Sequence, residues 1–90
     1  MRSNHNEELI QYPCNFPIKI MGASHTAFLK TVADLVKAHD PSFDIATMEQ
    51  RVSSKGNYLS LTAVIRATSR AQLDALYRAL SSHPMVKVVL

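Results

Sequence analysis

Apolar residues recur with a period of two in some stretches of the chain and with a period near 3.6 in others. From Tyr58 to Ala67 the alternation is clean: Leu59, Leu61, Ala63, Ile65 and Ala67 share one face, and Tyr58, Ser60, Thr62, Val64 and Arg66 share the other. Successive strand side chains point to opposite faces, so this segment reads as a strand buried on one side. Phe16 to Met21 alternates in the same way, with Phe16, Ile18 and Ile20 opposite Lys19 and Met21, and Gly22 is expected to close it. Next, Phe28, Val32, Leu35 and Val36 fall at helical spacing, with Leu29 and Ala33 alongside. The pattern predicts a helix capped by Ser24 and ending near Ala38 to Asp40, because Pro41 disfavours helical geometry in the residue before it. Phe43 to Val52 is extended but weakly patterned. Ser69 and Gln72 have the spacing of a capping box and open a second helix with a stripe of Leu73, Leu76, Tyr77 and Leu80. Pro84 ends that region, and Val86 to Leu90 reads as a short β-branched strand.

The element order is therefore β-α-β-β-α-β. This predicts an α+β, ferredoxin-like sandwich with a four-stranded antiparallel or mixed sheet and two helices on one face. That topology conventionally places the first and third strands in the middle, and right-handed crossovers favour this arrangement over its mirror image. Residues 13–90 are expected to form the single domain, and residues 1–12 a polar tail and approach segment. A chain of 90 residues supports one modest core and no second domain.

Composition narrows the function classes. A hydrophobic fraction of 47% with 19% charged residues is that of a soluble globule, and no apolar run is long enough for a bilayer span. Met1 to Glu8 is polar and lacks the pattern of a secretory signal or transit peptide. Cys14 is the one cysteine, which rules out an intramolecular disulfide and leads us to expect a cytoplasmic protein. The net charge of +3 comes from dispersed lysines and arginines, so it does not by itself imply a nucleic-acid surface, though it leaves room for a small anion site. An RNA-recognition surface on such a sheet stacks bases on aromatics, and the outward positions offer only Tyr58. The same face, or a sheet edge, is suited to self-association.

The candidate chemistry lies in loops. Ser53-Ser54-Lys55-Gly56-Asn57-Tyr58 separates two strand-like runs and holds one of only two glycines. As a hairpin it needs Gly56 or Asn57 at positive φ, with the serines satisfying nearby backbone groups. As an anion-binding loop it would use amides near Gly56, the charge of Lys55 and the serine hydroxyls. It is not a Walker loop, since Gly-x-x-x-x-Gly-Lys is absent and no helix follows. Gly22, ahead of Ala23-Ser24-His25-Thr26, is a second candidate, either as a tight reversal or as an anion site at a helix start, and Lys19 stands nearby. His5, His25, His39 and His83 show no zinc-ligand spacing, and no nucleophile is paired with a base. Neither metal, cofactor nor catalysis is expected on these grounds.

Several separated motifs carry a family resemblance: Leu9-Ile10-Gln11-Tyr12-Pro13, Phe16 with Lys19 and Met21-Gly22, the 53–58 hexapeptide, Ala67-Thr68, Leu76-Tyr77, and Val86 to Leu90. In this order they resemble the YbeD-like family of small bacterial proteins of uncharacterised function. The resemblance implies a ferredoxin-like fold similar to ACT regulatory domains, although the Asp-x-x-Gly approach of many ACT sites is missing here. Gene neighbourhoods in that family imply a loose association with lipoate metabolism, which makes an accessory enzyme or factor of cofactor metabolism the alternative function. The leading expectation is a non-catalytic binding or regulatory module contacting a protein partner or a small anionic metabolite. Its expected contacts are Ser53, Ser54, Lys55, Gly56, Asn57 and Tyr58, with Gly22 and Lys19 secondary.

Overall fold

The computed structural model describes residues 10–90; the expected polar tail at Met1 to Glu8, and His5 with it, lie outside them. The elements are β1 (Cys14–Ala23), α1 (Phe28–His39), a 3-10 turn (Ile45–Thr47), β2 (Glu49–Val52), β3 (Tyr58–Ala67), α2 (Arg70–Ser81) and β4 (Val86–Val89). The sheet order is β2-β3-β1-β4 and every neighbouring pair is antiparallel, which is the ferredoxin-like arrangement with β1 and β3 at the centre.

The two periodicities meet in one core. Ile18 and Ile20 from β1 and Leu61, Ala63, Ile65 and Ala67 from β3 are fully buried, as are Phe28, Val32 and Val36 from α1 and Leu76 and Leu80 from α2. All belong to one apolar cluster, so both helices cover the same side of the sheet. Pro17 stands inside a central strand without cost to the ladder, and the register shows why. Lys19 and Leu90 exchange both of their backbone hydrogen bonds, at 3.2 and 2.8 Å. By alternation the Pro17 position, which has no amide to donate, faces the same side, outside the pairing between β1 and β4, so no bond of that ladder is lost.

Two side-chain networks, one around Gln72 at the start of α2 and one around Asp40 at the end of α1, lock the helices to the sheet. Ser69 Oγ accepts from the Gln72 amide at 3.1 Å, as the capping box predicts. The Gln72 side chain accepts from the Thr68 amide at 2.7 Å and donates to the carbonyls of His39 at 2.9 Å and Arg66 at 3.1 Å, tying the end of α1 to the end of β3. Asp40, buried at the end of α1, completes the lock. Its carboxylate accepts from the Ser42 hydroxyl (2.6 Å), the Ser42 amide (3.1 Å) and the Arg66 amide (2.9 Å). β2 pairs with β3 only up to Thr62, so Asp40 supplies the Arg66 amide with the partner that a longer β2 would have given. Burial alone would raise the Asp40 carboxyl. Those three donors, with the Arg66 charge, outweigh it and hold the group below its ordinary value.

Three expectations are corrected. Gly22 does not close β1: it lies within the strand opposite Leu59, where the pairing with β4 shifts register. Ser24 does not cap α1, whose N-cap is Ala27 without a side-chain cap; instead His25 Nδ1 accepts from the Ala27 amide at 3.0 Å. Phe43 to Val52 is not one extended segment. Asp44 Oδ1 accepts from the Ala46 amide and starts the 3-10 turn, leaving only four residues for β2.

Candidate functional site

With both helices on one side, the opposite side of the sheet is open. The register places its residues in rows: Glu49, Thr62 and Lys19 across β2, β3 and β1; then Arg51, Ser60, Met21 and Val88; then Tyr58 and Ala23. Val64 and Arg66 extend the face toward the other end. Tyr58, Val64 and Val88 are exposed hydrophobics on this face, a surface that no part of residues 10–90 covers. Its charges are Lys19, Arg51 and Arg66 against Glu49, so the local potential favours anions.

Two adjoining depressions are set into this face. One, about 200 Å3, is polar and lined by Lys19, Glu49, Gln50, Arg51, Ser60 and Thr62. The other, about 230 Å3, is more apolar and lies beneath the hairpin between Met21, Ser53, Ser54 and Tyr58. Arg51 and Ser60 border both. Pockets that enclose an organic ligand usually run from about 300 to 1,000 Å3. Each depression is smaller, so the face suits a small anion or the side chains of a partner.

The hairpin is built by Ser53. Its amide donates to the Tyr58 carbonyl at 2.9 Å, its carbonyl accepts from the Gly56 amide at 2.8 Å, and its hydroxyl accepts from the Tyr58 amide at 3.1 Å. Gly56 adopts φ 75°, a conformation that costs an ordinary L-residue about 1–2 kcal/mol. The Asn57 carbonyl accepts from the Ser24 amide at 3.0 Å, fastening the loop to the segment before α1. Turn geometry thus accounts for Ser53, Gly56 and Asn57. It also uses up the Gly56 amide that an anion nest would need. Ser54 lines the apolar depression, whereas Lys55 is exposed beyond both depressions and has no ion pair among the described residues.

The structure therefore gathers Lys19, Ser53, Ser54 and Tyr58 along the open face, and leaves Lys55, Gly56 and Asn57 at the rim of the hairpin. Gly22 is elsewhere, buried beneath Phe28 and Met85. Arg51 is not among the residues the sequence singles out, yet it borders both depressions; its outward placement follows only from the pairing of β2 with β3. The described histidines are engaged locally: His25 Nδ1 and His83 Nδ1 accept from amides two residues on, and His39 Nδ1 bonds the Leu35 carbonyl at the end of α1. Cys14 is a partly buried free thiol packed against the core. No group of side chains among the described residues could hold a metal ion, and no described helix is long and apolar enough to cross a membrane.

Comparison with known proteins fits this picture. Residues 7–90 match the family described as "Protein of unknown function (DUF493)". A UPF0250 protein of Janthinobacterium sp. (strain Marseille) is 64% identical over 84 residues, covering 93% of this chain and 92% of that protein. A UPF0250 protein of Paraburkholderia phytofirmans is 56% identical over 88 residues, with 98% and 99% covered. The solution structure of protein HP0495 from H. pylori superposes with a TM-score of 0.77 at 15% identity, over 100% of this chain and 94% of that one. The chain belongs to the DUF493 family of YbeD-like proteins, and the HP0495 likeness supports the ferredoxin-like fold.

Proposed function

We propose that the chain is a non-catalytic binding or regulatory module of the cytoplasm that meets an anionic partner, a protein or a small metabolite, on the open sheet face and the 53–58 hairpin. The observation that carries this reading is the gathering of Lys19, Arg51 and Arg66 on one uncovered surface, with Ser53, Ser54 and Tyr58 beside them and a single carboxylate, Glu49, in opposition. Lys55 adds a fourth cation at the rim. Functional residues concentrate on loops held by a rigid scaffold, and three hydrogen bonds of Ser53 close this hairpin against the sheet.

The test is an affinity capture from the source cell using wild type, Lys19→Ala, Lys55→Ala and, as a control on the helical side, Lys37→Ala. The reading expects the first two variants to lose what the wild type captures while Lys37→Ala retains it. Equal capture by all four, or turnover of a substrate by the isolated protein, would contradict it.

A further inference from the structure

The two edges of the sheet are guarded differently. On the β4 side, Lys87 lies in the edge strand and Pro17 removes an amide from the part of β1 that β4 does not reach. Both features discourage the addition of another strand. β2 is as short as β4 but has neither lysine nor proline: its sequence is Glu49-Gln50-Arg51-Val52, its two charges are opposite in sign, and all four residues are exposed, Val52 by 55%. Because Ser53 and Tyr58 form a hydrogen-bonded pair, alternation turns the backbone groups of Arg51 and Glu49 toward β3. The amides and carbonyls of Gln50 and Val52 then face away from the sheet.

We infer that this edge is a self-association surface, on which two copies pair antiparallel through Glu49–Val52 about a two-fold axis at Gln50, joining two sheets into one of eight strands. The register follows from charge. With the axis at Arg51, the two arginines would stand directly opposite each other, and with the axis at Glu49, the two glutamates would. With the axis at Gln50, each Glu49 faces Arg51 of the partner copy, and the exposed Val52 faces Met48. Opposite charges directly across a ladder stabilise it and like charges oppose it, so of these three registers the one centred on Gln50 alone sets opposite charges face to face. The backbone agrees. The Met48 amide is already taken by the Ile45 carbonyl at 3.0 Å, but its carbonyl remains to accept from the Val52 amide of the partner copy, and Gln50 exchanges both bonds with itself across the axis. Neither Glu49 nor Arg51 has an ion-pair partner within the described residues of its own chain. The surface is self-complementary, as a two-fold interface must be. Glu49 and Arg51 also border the open face, so the test is made on the isolated protein, where self-association is read without any captured partner.

Sedimentation equilibrium of the full chain over a broad concentration series tests it, with Glu49→Arg, Arg51→Glu and the double exchange. The wild type is expected to form a dimer, each single variant to weaken it at least about tenfold by placing like charges at both symmetry-related pairs, and the double exchange to restore it. Concentration-dependent protection of the Gln50 and Val52 amides from hydrogen exchange in the wild type supplies a readout that needs no substitution. A wild type that stays monomeric to millimolar concentration overturns the inference. So does a dimer in which the single variants change nothing, or in which the double exchange is as weak as they are.

Discussion

Replacing Gly22 by alanine isolates one physical effect. An ideal Cβ built at this position would collide with the Met85 carbonyl oxygen and lie 2.6 Å from two ring carbons of Phe28. Side-chain carbons in folded proteins essentially never come within 3.0 Å of such atoms, so something must move. Neither neighbour yields easily: Met85 contributes backbone at the entrance to β4, and the Phe28 ring is fully buried in the core. Forcing one extra methyl into a packed interior costs about 1–3 kcal/mol, and the contact with backbone puts this case at the upper end. Reduced freedom of the unfolded chain offsets only about 0.4–1 kcal/mol. The net loss is about 2 kcal/mol, or roughly 8–16 °C of melting temperature for a domain of this size. Urea and thermal unfolding measure it directly. Phe28→Leu removes both offending ring carbons, so the double variant is expected to lose less than the sum of the single losses. A melting temperature unchanged or raised by Gly22→Ala would refute the reasoning, because it would mean that the strand has room the geometry denies it.

Gly56 behaves differently, since a Cβ there meets nothing within 4 Å while φ is +75°. Gly56→Val is expected to cost about 1–2 kcal/mol and Gly56→Asn markedly less, because asparagine tolerates left-handed backbone; equal losses in urea unfolding would contradict a conformational cause. Asp40→Asn replaces an acceptor with a group that must turn an NH2 toward one of three donors, which predicts a loss of about 1–3 kcal/mol. The wild type should also show acid sensitivity of a definite sign. The folded Asp40 carboxyl lies below the ordinary value of 3.8, so its stabilisation is complete above about pH 5 and disappears as pH falls through 3.8 and then through the folded value. Asp40→Asn should flatten that part of the stability curve, and identical slopes in wild type and variant would count against the assignment.

How far the sequence disclosed the molecule depended on whether local patterning was the deciding force. β3 was legible residue by residue because each alternate position meets either the core or solvent, and the Ser69–Gln72 cap because its donor and acceptor are three residues apart. Gly22 was misread because a glycine after a strand suggests a turn, whereas its small size is required by Phe28 and Met85, contacts that exist only after the chain has folded. The loss of the Ser24 cap has a similar origin, since the Ser24 amide is held by Asn57, thirty-odd residues away, and the helix begins later. Of the site, Lys19 and Tyr58 could be placed outward by parity alone. Arg51 could not, because the weak pattern of Phe43 to Val52 gave no register until β2 was paired with β3. The hexapeptide was rightly a hairpin, but the use of the Gly56 amide by the Ser53 carbonyl is a three-dimensional detail that moves the interest from the loop's tip to the sheet beside it.

The central claim is that the open sheet face meets the partner. The most direct measurement is an amide correlation spectrum of the isotope-labelled protein before and after addition of the molecule captured by the wild type. The account predicts shifts at Lys19, Met21, Arg51, Ser60 and Thr62, continuing into Ser54 and Lys55, with Thr31, Lys37 and Arg78 on the helices unmoved. Shifts confined to the helical side, with the sheet face silent, would contradict it.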